Sequence, residues 1–446
     1  ECFSALAETD VSTALIGLFD GMTAVKKNRF GKPAHQVKTV SVMGAGLMGA
    51  GIAQVSAEKG YKVLLKDRDM EGVGRGEAYI GGNWEAKAKK KRMTNHQKCV
   101  AEANIVGLTD ADKMWGKHFE GADMVIEAVF EDLSLKHKVI AQVEEHIPEH
   151  CVFATNTSAI PIRDIAKGSK RPENVIGMHY FSPVPNMKLL EIIKHEGTAD
   201  HVAAAAVEVG LKQGKLPVVV GDVPGFYVNR CLGPFMMETT ALISHGVGIE
   251  QLDKEILKYG MPVGPITLVD EVGIDVANHV REFLGSADMG VRMQGGGTEV
   301  NVLAEMVEKG FLGKKSGKGF FIYPEGKGKG KKTVNPEVEA RSKELITEDL
   351  KLGSEEIRNR LLSRFVNEAV LCLQDGVLEN PADGDIGAVF GCGFLPYTGG
   401  PFRMLDAVGI DTYTDMMQGF ADKYGEQFEP CQLMKDMARD NKKFYK

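Results

Sequence analysis

Residues 38–69, KTVSVMGAGLMGAGIAQVSAEKGYKVLLKDRD, determine the fold class of this chain. A short apolar run leads into a glycine-rich turn, a helical stretch follows, and a second apolar run ends at Asp67. The order strand, turn, helix, strand is that of a βαβ unit, whose two strands lie parallel in one sheet.

Further apolar runs continue this pattern over residues 122–129, 151–156, 174–181 and 216–222. Helical stretches such as LKHKVIAQVEEHI separate several of these runs. Alternating strands and helices are typical of a doubly wound sheet. We therefore predict an α/β Rossmann domain with a mostly parallel sheet over residues 35–221.

A repeated helical pattern follows this domain. The stretch NRCLGPFMMETTALISHGV begins at Asn229, and the similar stretch NRLLSRFVNEAVLCLQDGV begins at Asn359. The match resumes with GPITLVDEVGID at Gly264 and GPFRMLDAVGID at Gly400. We predict that one helical module occurs twice, as two repeated all-α domains. These domains would span residues 222–324 and 351–446, with a Lys/Gly-rich linker over 325–350.

The composition excludes several functional classes. The net charge of −7 gives no general basis for nucleic-acid binding. The seven cysteines are scattered, with no CxxC pair and no metal-type spacing, so we expect a reducing compartment and no metal site. No apolar run approaches the ~18 residues of a membrane helix, so we predict no transmembrane segment.

The glycine-rich turn has the spacing GxGxxG at Gly44, Gly46 and Gly49. The first glycine allows the tight turn, the second lets the backbone approach a pyrophosphate, and the third allows close packing of helix and sheet. Asp67 ends the next strand, where its carboxylate can accept ribose hydroxyls and repel a 2′-phosphate. We therefore predict a dinucleotide site that prefers NAD to NADP, although two basic residues flank Asp67, namely Lys66 and Arg68.

A candidate acid–base pair lies in the segment VIGMHYFSPVPNMKLLEIIK. His179 ends an apolar run before a proline-rich loop, and Glu191 lies inside another apolar run, where an unpaired carboxylate is costly to bury. A loop that folds back would pair the two side chains. Such a pair suits alcohol oxidation, because the histidine takes the hydroxyl proton and the glutamate stabilises the imidazolium. The alternative is a histidine that is merely a satisfied polar group.

The ensemble of motifs resembles the L-3-hydroxyacyl-CoA dehydrogenase family. The similarity covers GAGLMGAGIAQV, VIEAVFEDLSLK, NTSAIPI, GMHYFSPVP, KLLEII, PGFYVNR, PVGPITLVDEVG and GFLGKKSGKGFF. The second helical copy and the ending CQLMKDMARDNKKFYK are most similar to mitochondrial multifunctional members, which carry an enoyl-CoA hydratase part before the dehydrogenase part. This implies that residues 1–34 are a linker helix that follows a missing hydratase part.

The resemblance implies roles for individual residues. His179 and Glu191 match the family's proton-transfer pair, and Ser158 and Asn229 match residues that hydrogen-bond the substrate oxygen or thioester region. The NAD contacts carried over are Gly44, Gly46, Leu47, Met48, Gly49, Asp67, Glu131, Lys136 and Lys315.

Contacts with CoA are expected at the basic segment KAKKKR, chiefly Lys90 and Lys87, although its charge pattern alone fits a solvated helix face equally well. Two positions depart from single-function members. Ser182 replaces an asparagine, and Asn83 replaces a serine that contacts CoA.

The resemblance implies NAD-dependent oxidation of L-3-hydroxyacyl-CoA to 3-ketoacyl-CoA in fatty acid β-oxidation, within a multifunctional enzyme. It also implies a thiolase β subunit as partner and a mitochondrial location, in the matrix or at the inner membrane, with peripheral membrane association left open. Two alternatives remain: a non-catalytic NAD-binding scaffold, and a β-hydroxyacid dehydrogenase that acts on free acids. Retention of His179, Glu191, Ser158 and Asn229 argues against the scaffold.

Overall fold

The computed structural model describes residues 6–286, 289–294, 301–324 and 330–445. The chain folds into two compact units. The sheet unit is Met22–Phe226, and the helical unit combines the described part of residues 1–21 with that of residues 227–446. The two predicted helical domains therefore lie in one unit. Among the described residues, no helix has the length and apolar character needed to cross a membrane.

Helix α1 (Asp10–Ala24) lies in the predicted linker segment. Gly17 and Gly21 are buried, and a Cβ atom on Gly17 would collide with the Arg403 guanidinium. One face of α1 thus packs on the helical unit, whereas Leu15, Ile16 and other apolar side chains on it remain exposed.

An eight-stranded sheet forms the centre of the sheet unit, in the order β3-β2-β1-β4-β5-β6-β7-β8. Only the β6–β7 pair is antiparallel, which agrees with the predicted mostly parallel, doubly wound sheet. The strands are β1 Thr39–Met43, β2 Lys62–Asp67, β3 Ile105–Thr109, β4 Met124–Glu127, β5 Val152–Thr155, β6 Val175–Tyr180, β7 Leu189–Lys194 and β8 Leu216–Gly221.

Seven helices accompany these strands within the fully described sheet unit. Their buried apolar side chains complete the core around β1, where Val40 and Val42 are fully buried. The helices are α2 Leu47–Ala57, α3 Met70–Lys89, α4 Asn95–Ala103, α5 Trp115–Phe119, α6 Leu133–Glu144, α7 Ile162–Ala166 and α8 Asp200–Lys212. A 3₁₀ turn spans Pro172–Asn174.

The helical unit contains both copies of the repeat. Copy one (residues 222–324) includes α9 Val228–Ser244, α10 Ile249–Tyr259, α11 Pro265–Val272, α12 Ile274–Ser286, α13 Val302–Glu308 and strand β9 Phe321–Ile322. Strand β10 Thr333–Val334 and helix α14 Pro336–Glu344 lie in the predicted linker, of which residues 325–329 are outside the described part. Copy two (residues 351–446) includes α15 Ser354–Gln374, α16 Pro381–Gly387, α17 Pro401–Val408, α18 Ile410–Tyr424 and α19 Gln432–Arg439.

The described part of the helical unit also contains short 3₁₀ and π turns. They are Gly290–Met293, Lys314–Ser316, Pro396–Thr398 and Glu426–Phe428 in 3₁₀ form and Ala388–Cys392 in π form.

The two copies pack on each other through α9 and α15, and the contact is reciprocal. Arg230 on α9 binds Glu368 on α15, with 2.5 Å between Nε and Oε1. The equivalent Arg360 on α15 binds Glu238 on α9, with 2.7 Å between the same atom types. Each pair lies 130 positions from its counterpart, so the helices run antiparallel about an approximate two-fold axis, as in a symmetric dimer interface.

Candidate active site

The glycine-rich loop between β1 and α2 has the geometry that a dinucleotide pyrophosphate requires. Gly44 has φ +100°. A Cβ on Gly49 would lie 1.9 Å from the Gly44 carbonyl oxygen, so this position must be glycine for the helix to pack. Gly46 is exposed and has no heavy atom within 4 Å of its Cβ position, which leaves open space at the N-terminus of α2. Leu47 and Met48 begin this helix.

Asp67 lies at the end of β2, next to this loop. Its Oδ2 atom accepts a hydrogen bond of 2.6 Å from the Ala45 amide. The neighbouring Lys66 is buried, pairs with Asp110 and lies 4.6 Å from the Trp115 ring centroid. Its charge is therefore directed away from Asp67, whereas the Arg68 side chain is 86% exposed. Of the two basic neighbours, Arg68 is the exposed one, and its guanidinium contacts the Asp69 carboxylate at 3.3 Å.

The predicted acid–base pair is formed by strands β6 and β7. His179 and Glu191 are direct partners in the antiparallel register, because the loop after β6 folds back as expected. The Nδ1 atom of His179 lies 2.7 Å from Oε2 of Glu191, and both side chains are buried. This contact leaves Nε2 as the nitrogen that would face a substrate.

Two phenylalanines that the sequence reasoning missed surround the His179 ring. The ring centroid of Phe181 lies 4.4 Å away and that of Phe226 lies 5.8 Å away. Phe226 follows Gly225, and both adopt positive φ angles, +53° for Phe226. Non-glycine residues rarely adopt this conformation. The dipeptide Pro-Gly before Phe226 was the available signal for such a turn.

Ser158, which follows β5, is held by the half-buried carboxylate of Glu131. Oε1 of Glu131 accepts a 2.6 Å hydrogen bond from the Thr157 hydroxyl and a 2.9 Å bond from the Ser158 amide. Lys136, which is 1% exposed, places its Nζ 3.1 Å from Glu131 and 2.9 Å from both carboxylate oxygens of Glu127. Lys136 is thus the counter-charge of two carboxylates. Sequence reasoning identified Glu131 and Lys136 but missed Glu127 and Thr157.

This arrangement keeps Glu131 ionised. Burial opposes its charge, but the Lys136 ammonium and the hydrogen bonds from Thr157 and Ser158 hold the pKa of Glu131 below its usual value. A fixed negative charge therefore lies beneath the Ser158 turn.

Two candidate residues belong to the helical unit. Asn229 lies in the first turn of α9 and lines an apolar cavity. Lys315 lies in a short turn after α13, where its Nζ is 2.5 Å from Oδ1 of Asp275.

The basic segment after Trp84 borders a groove of about 720 Å³ in the sheet unit. Lys87 and Lys90 both line it, together with Arg92, His96 and the prolines of the SPVP loop. Lys87 pairs with Glu58 at 2.6 Å, so part of its charge is already neutralised. Asn83, one of the two departures, donates a 2.9 Å hydrogen bond to Gln54 at the same groove.

Family models match most of the chain. The NAD-binding domain of 3-hydroxyacyl-CoA dehydrogenase matches residues 39–223, and the C-terminal domain of that enzyme matches residues 225–323 and again 357–446. The chain belongs to the 3-hydroxyacyl-CoA dehydrogenase family. The double match confirms the predicted repeat, and the first match confirms NAD as the cofactor.

Curated relatives of this dehydrogenase are longer proteins. The chain is 41% identical over 446 residues to the fatty acid oxidation complex subunit alpha of Vibrio vulnificus, covering 99% of this chain and 61% of the relative. The protein of the same name from Shewanella amazonensis is 40% identical over 449 residues, with the same coverage. The chain thus spans about three fifths of the length of these relatives.

Two solved structures support the family assignment. The 3-hydroxybutyryl-CoA dehydrogenase of Escherichia coli K12 superposes with a TM-score of 0.77 at 27% identity, covering 91% of this chain and 99% of the other. The (S)-3-hydroxybutyryl-CoA dehydrogenase of Ralstonia eutropha gives a TM-score of 0.60 at 34% identity. It covers 65% of this chain but 100% of its own.

The comparisons correct one prediction. The mitochondrial location is wrong, because relatives at 40–41% identity are Vibrio and Shewanella proteins, which indicate a bacterial protein. The inference followed from similarity to mitochondrial multifunctional members. Site motifs that are fixed by chemistry carry no information about the compartment.

Proposed function

We propose that this NAD-dependent dehydrogenase oxidises the 3-hydroxyl group of an L-3-hydroxyacyl-CoA to a ketone. The observation that carries the proposal is the buried His179–Glu191 pair, with 2.7 Å between Nδ1 and Oε2. A buried carboxylate that orients one imidazole nitrogen and stabilises the imidazolium makes the other nitrogen a general base.

The proton and the hydride leave the substrate by separate routes. Nε2 of His179 accepts the hydroxyl proton, and Glu191 balances the positive charge that develops on the ring. Bound NAD⁺ supplies the hydride acceptor for the hydrogen on C3. Phe181 and Phe226 limit water around the ring and keep its orientation, which favours proton transfer.

Ser158 and Asn229 are proposed to hold the substrate oxygen or thioester region. The hydroxyl of Ser158 is oriented by Glu131, whose charge is fixed by Lys136. Because the Lys136 ammonium is engaged by the carboxylates of Glu127 and Glu131, we expect it to influence NAD through Glu131. Lys315 is proposed as a further NAD contact.

The fit of NAD rests on the glycine loop and Asp67. The open space at Gly46 and the amides at the start of α2 suit a pyrophosphate, and Asp67 suits a ribose diol. Asp67→Ala should narrow the preference for NAD⁺ over NADP⁺. Equal use of both cofactors by the unaltered chain would contradict this role.

The CoA part of the substrate is proposed to occupy the groove beside Lys87 and Lys90. Lys90 is the stronger candidate for a phosphate contact because Lys87 pairs with Glu58. The rival substrate, a free hydroxy acid, has no nucleotide phosphates to occupy a groove of this size.

The finer partners are also proposals. The name of the relatives, fatty acid oxidation complex subunit alpha, supports membership of a multi-subunit complex. We propose a multifunctional enzyme whose partner is a thiolase β subunit. Co-purification of such a subunit with the longer natural protein tests this, and vesicle flotation tests peripheral membrane association.

The deciding experiment measures NADH formation with 3-hydroxybutyryl-CoA and with free 3-hydroxybutyrate. We expect turnover with the CoA ester only. His179→Ala should lower turnover by about 10²–10⁴-fold while NAD binding persists, and Glu191→Gln should lower it less. His201→Ala, at an exposed histidine, is the matched control. Near-normal turnover in His179→Ala contradicts the base assignment, and NAD binding without any turnover by the unaltered chain favours the scaffold.

A further inference from the structure

An apolar cavity of about 180 Å³ lies along helix α9 in copy one. The α9 residues that line it include Asn229, Gly233, Met236, Thr240 and Ile243. Their spacing of three or four places them on one stripe of the helix, which extends over about 21 Å at 1.5 Å per residue. The cavity is therefore elongated and has an amide side chain near the start of its long wall.

Two small residues, Gly233 on α9 and Ala277 on α12, line the cavity. On the opposite wall, α12 contributes Ala277, Val280 and Leu284. A Cβ on Gly233 would lie 3.0 Å from Sδ of Met293 and 3.1 Å from Cδ1 of Leu284, so a larger side chain there would extend into the cavity. The lining is mainly aliphatic, with flexible methionines that adapt to an apolar guest.

The same helix face in copy two is closed. Met237 also lines the cavity, and its counterpart in copy two is Asn367. The Asn367 side chain donates a 2.9 Å hydrogen bond to the Glu429 carbonyl and accepts one of 2.9 Å from the Cys431 amide. These hydrogen bonds hold residues 429–431 against α15. Beside them, Phe428 is fully buried and packs on Phe420, the counterpart of Leu284, with 5.6 Å between ring centroids.

Copy two also has a larger side chain than copy one at a second equivalent position. The shared Gly-Ile-Asp at Gly273 and Gly409 aligns Ala277 with Tyr413. Tyr413 is 6% exposed. Copy two therefore has a tyrosine where copy one has a methyl group. The two copies therefore share a helical scaffold, but the face that is open in copy one is filled by side chains in copy two.

We infer that this cavity binds the hydrocarbon chain of the acyl-CoA substrate, with the thioester end at Asn229, and that it sets a preference for acyl chains longer than four carbons. The inference rests on the proposed function. An apolar cavity of ~150 Å³ accommodates a benzene-sized guest, so this one accommodates roughly six to eight carbons.

The unaltered chain gives the first test. Burial of each methylene is worth about fourfold in affinity, so kcat/KM should rise from 3-hydroxybutyryl-CoA to 3-hydroxydecanoyl-CoA, by at least tenfold in total. A flat or falling profile overturns the inference and leaves the proposed function intact.

Two variants test the location of the chain. Ala277→Tyr introduces the residue of copy two, and Gly233→Leu fills the cavity from the opposite wall. Each should lower the decanoyl-to-butyryl ratio of kcat/KM at least tenfold. His279→Tyr, at an exposed position on the same helix, should leave the ratio unchanged. An unchanged ratio in folded Ala277→Tyr and Gly233→Leu overturns the inference.

A binding readout separates this inference from the proposed function. A fluorescent octanoate analogue should bind the unaltered chain and His279→Tyr, and bind Ala277→Tyr at least tenfold more weakly. If no hydroxyacyl-CoA is oxidised, the proposed function fails. This binding measurement then decides by itself whether the cavity binds a hydrocarbon chain. Equal binding to all three proteins overturns it.

Discussion

The two helical copies of this dehydrogenase share a packing surface and differ in what faces away from it. On the shared surface the correspondence extends beyond the arginine–glutamate pairs. Arg230 also binds Asp375 at 2.7 Å, and its counterpart Arg360 contacts His245, the counterpart of Asp375, at 3.2 Å. The Phe235 and Phe365 rings, also equivalent, meet with 6.4 Å between centroids.

Away from that surface the copies have diverged. Copy one has an open cavity beside Asn229, whereas copy two covers the matching face with Phe428 and neighbouring residues. Mutual packing constrains both copies equally, because equivalent residues of the two copies make equivalent contacts across the shared surface. The outer faces carry no such constraint, so binding in one copy and closure in the other can evolve separately. We infer that copy two serves as the packing partner of copy one.

The strongest way to break this comparison is to remove copy two. Deletion of residues 351–446 exposes the buried face of α9, including Phe235 and Leu242, which are buried in the intact chain. We expect aggregation, or dimerisation through two α9 faces, measured by size-exclusion chromatography with light scattering. A monomeric, fully active product would show that copy one needs no cover.

The next largest effect is expected at the shared surface. Glu238→Gln leaves Arg360 and Arg364, each 1% exposed, without a carboxylate and should lower the free energy of unfolding by about 3–5 kcal/mol. Its counterpart Glu368→Gln should cost about 1.5–3 kcal/mol, because Arg230 keeps Asp375 and Arg292 is 27% exposed.

Urea unfolding followed by circular dichroism measures both variants. The two tryptophans of the chain, Trp84 and Trp115, belong to the sheet unit, so their fluorescence provides an internal control. Equal losses in the free energy of unfolding would mean that the different solvent exposure of the arginines does not affect how much each glutamate stabilises the chain.

A smaller effect should distinguish the two equivalent asparagines. Asn229→Ala should lower kcat/KM about 10²-fold, the usual cost of losing one oxyanion donor, whereas Asn359→Ala should change it less than twofold. Steady-state kinetics with 3-hydroxybutyryl-CoA provide the comparison. Comparable losses in both variants would point to a catalytic role for copy two.

The last prediction is a pH dependence of stability that originates at Asp385 in copy two. Asp385 accepts hydrogen bonds from the Phe402 amide and the Tyr445 hydroxyl, and its burial raises its pKa to about 7. Between pH 4 and 7 the folded state then keeps a proton that the unfolded state releases. Stability should therefore fall as pH rises, by at most about 1.4 kcal/mol per unit from this group.

Asp385→Asn should flatten that part of the pH profile, measured by thermal unfolding. The related Asp253 in copy one accepts from the Ile266 amide at the start of α11 and has Lys332 at 3.3 Å instead of a tyrosine. A profile that is unaffected by Asp385→Asn would show that this carboxyl is already charged at low pH.

Sequence alone predicted much of the candidate site because several motifs act locally. Gly44, Gly46 and Gly49 could be assigned separate roles from their spacing, and the geometry agrees at each one. Strand β3 was missed, since IVGLT is a short run and only its last two residues are buried. The ring contacts of Phe181 and Phe226 depend on turns that spacing does not specify.

The sequence by itself determined the Rossmann domain, the duplicated module and the family, because glycine turns, apolar periodicity and repeats are recorded in local order. Tertiary structure decided the pairing of charges. Register placed Glu191 opposite His179, Asp110 took the charge of Lys66, and Lys136 was enclosed by carboxylates. It also decided which copy stayed open. Such choices depend on which distant side chains share a low-dielectric interior, and no local pattern specifies that.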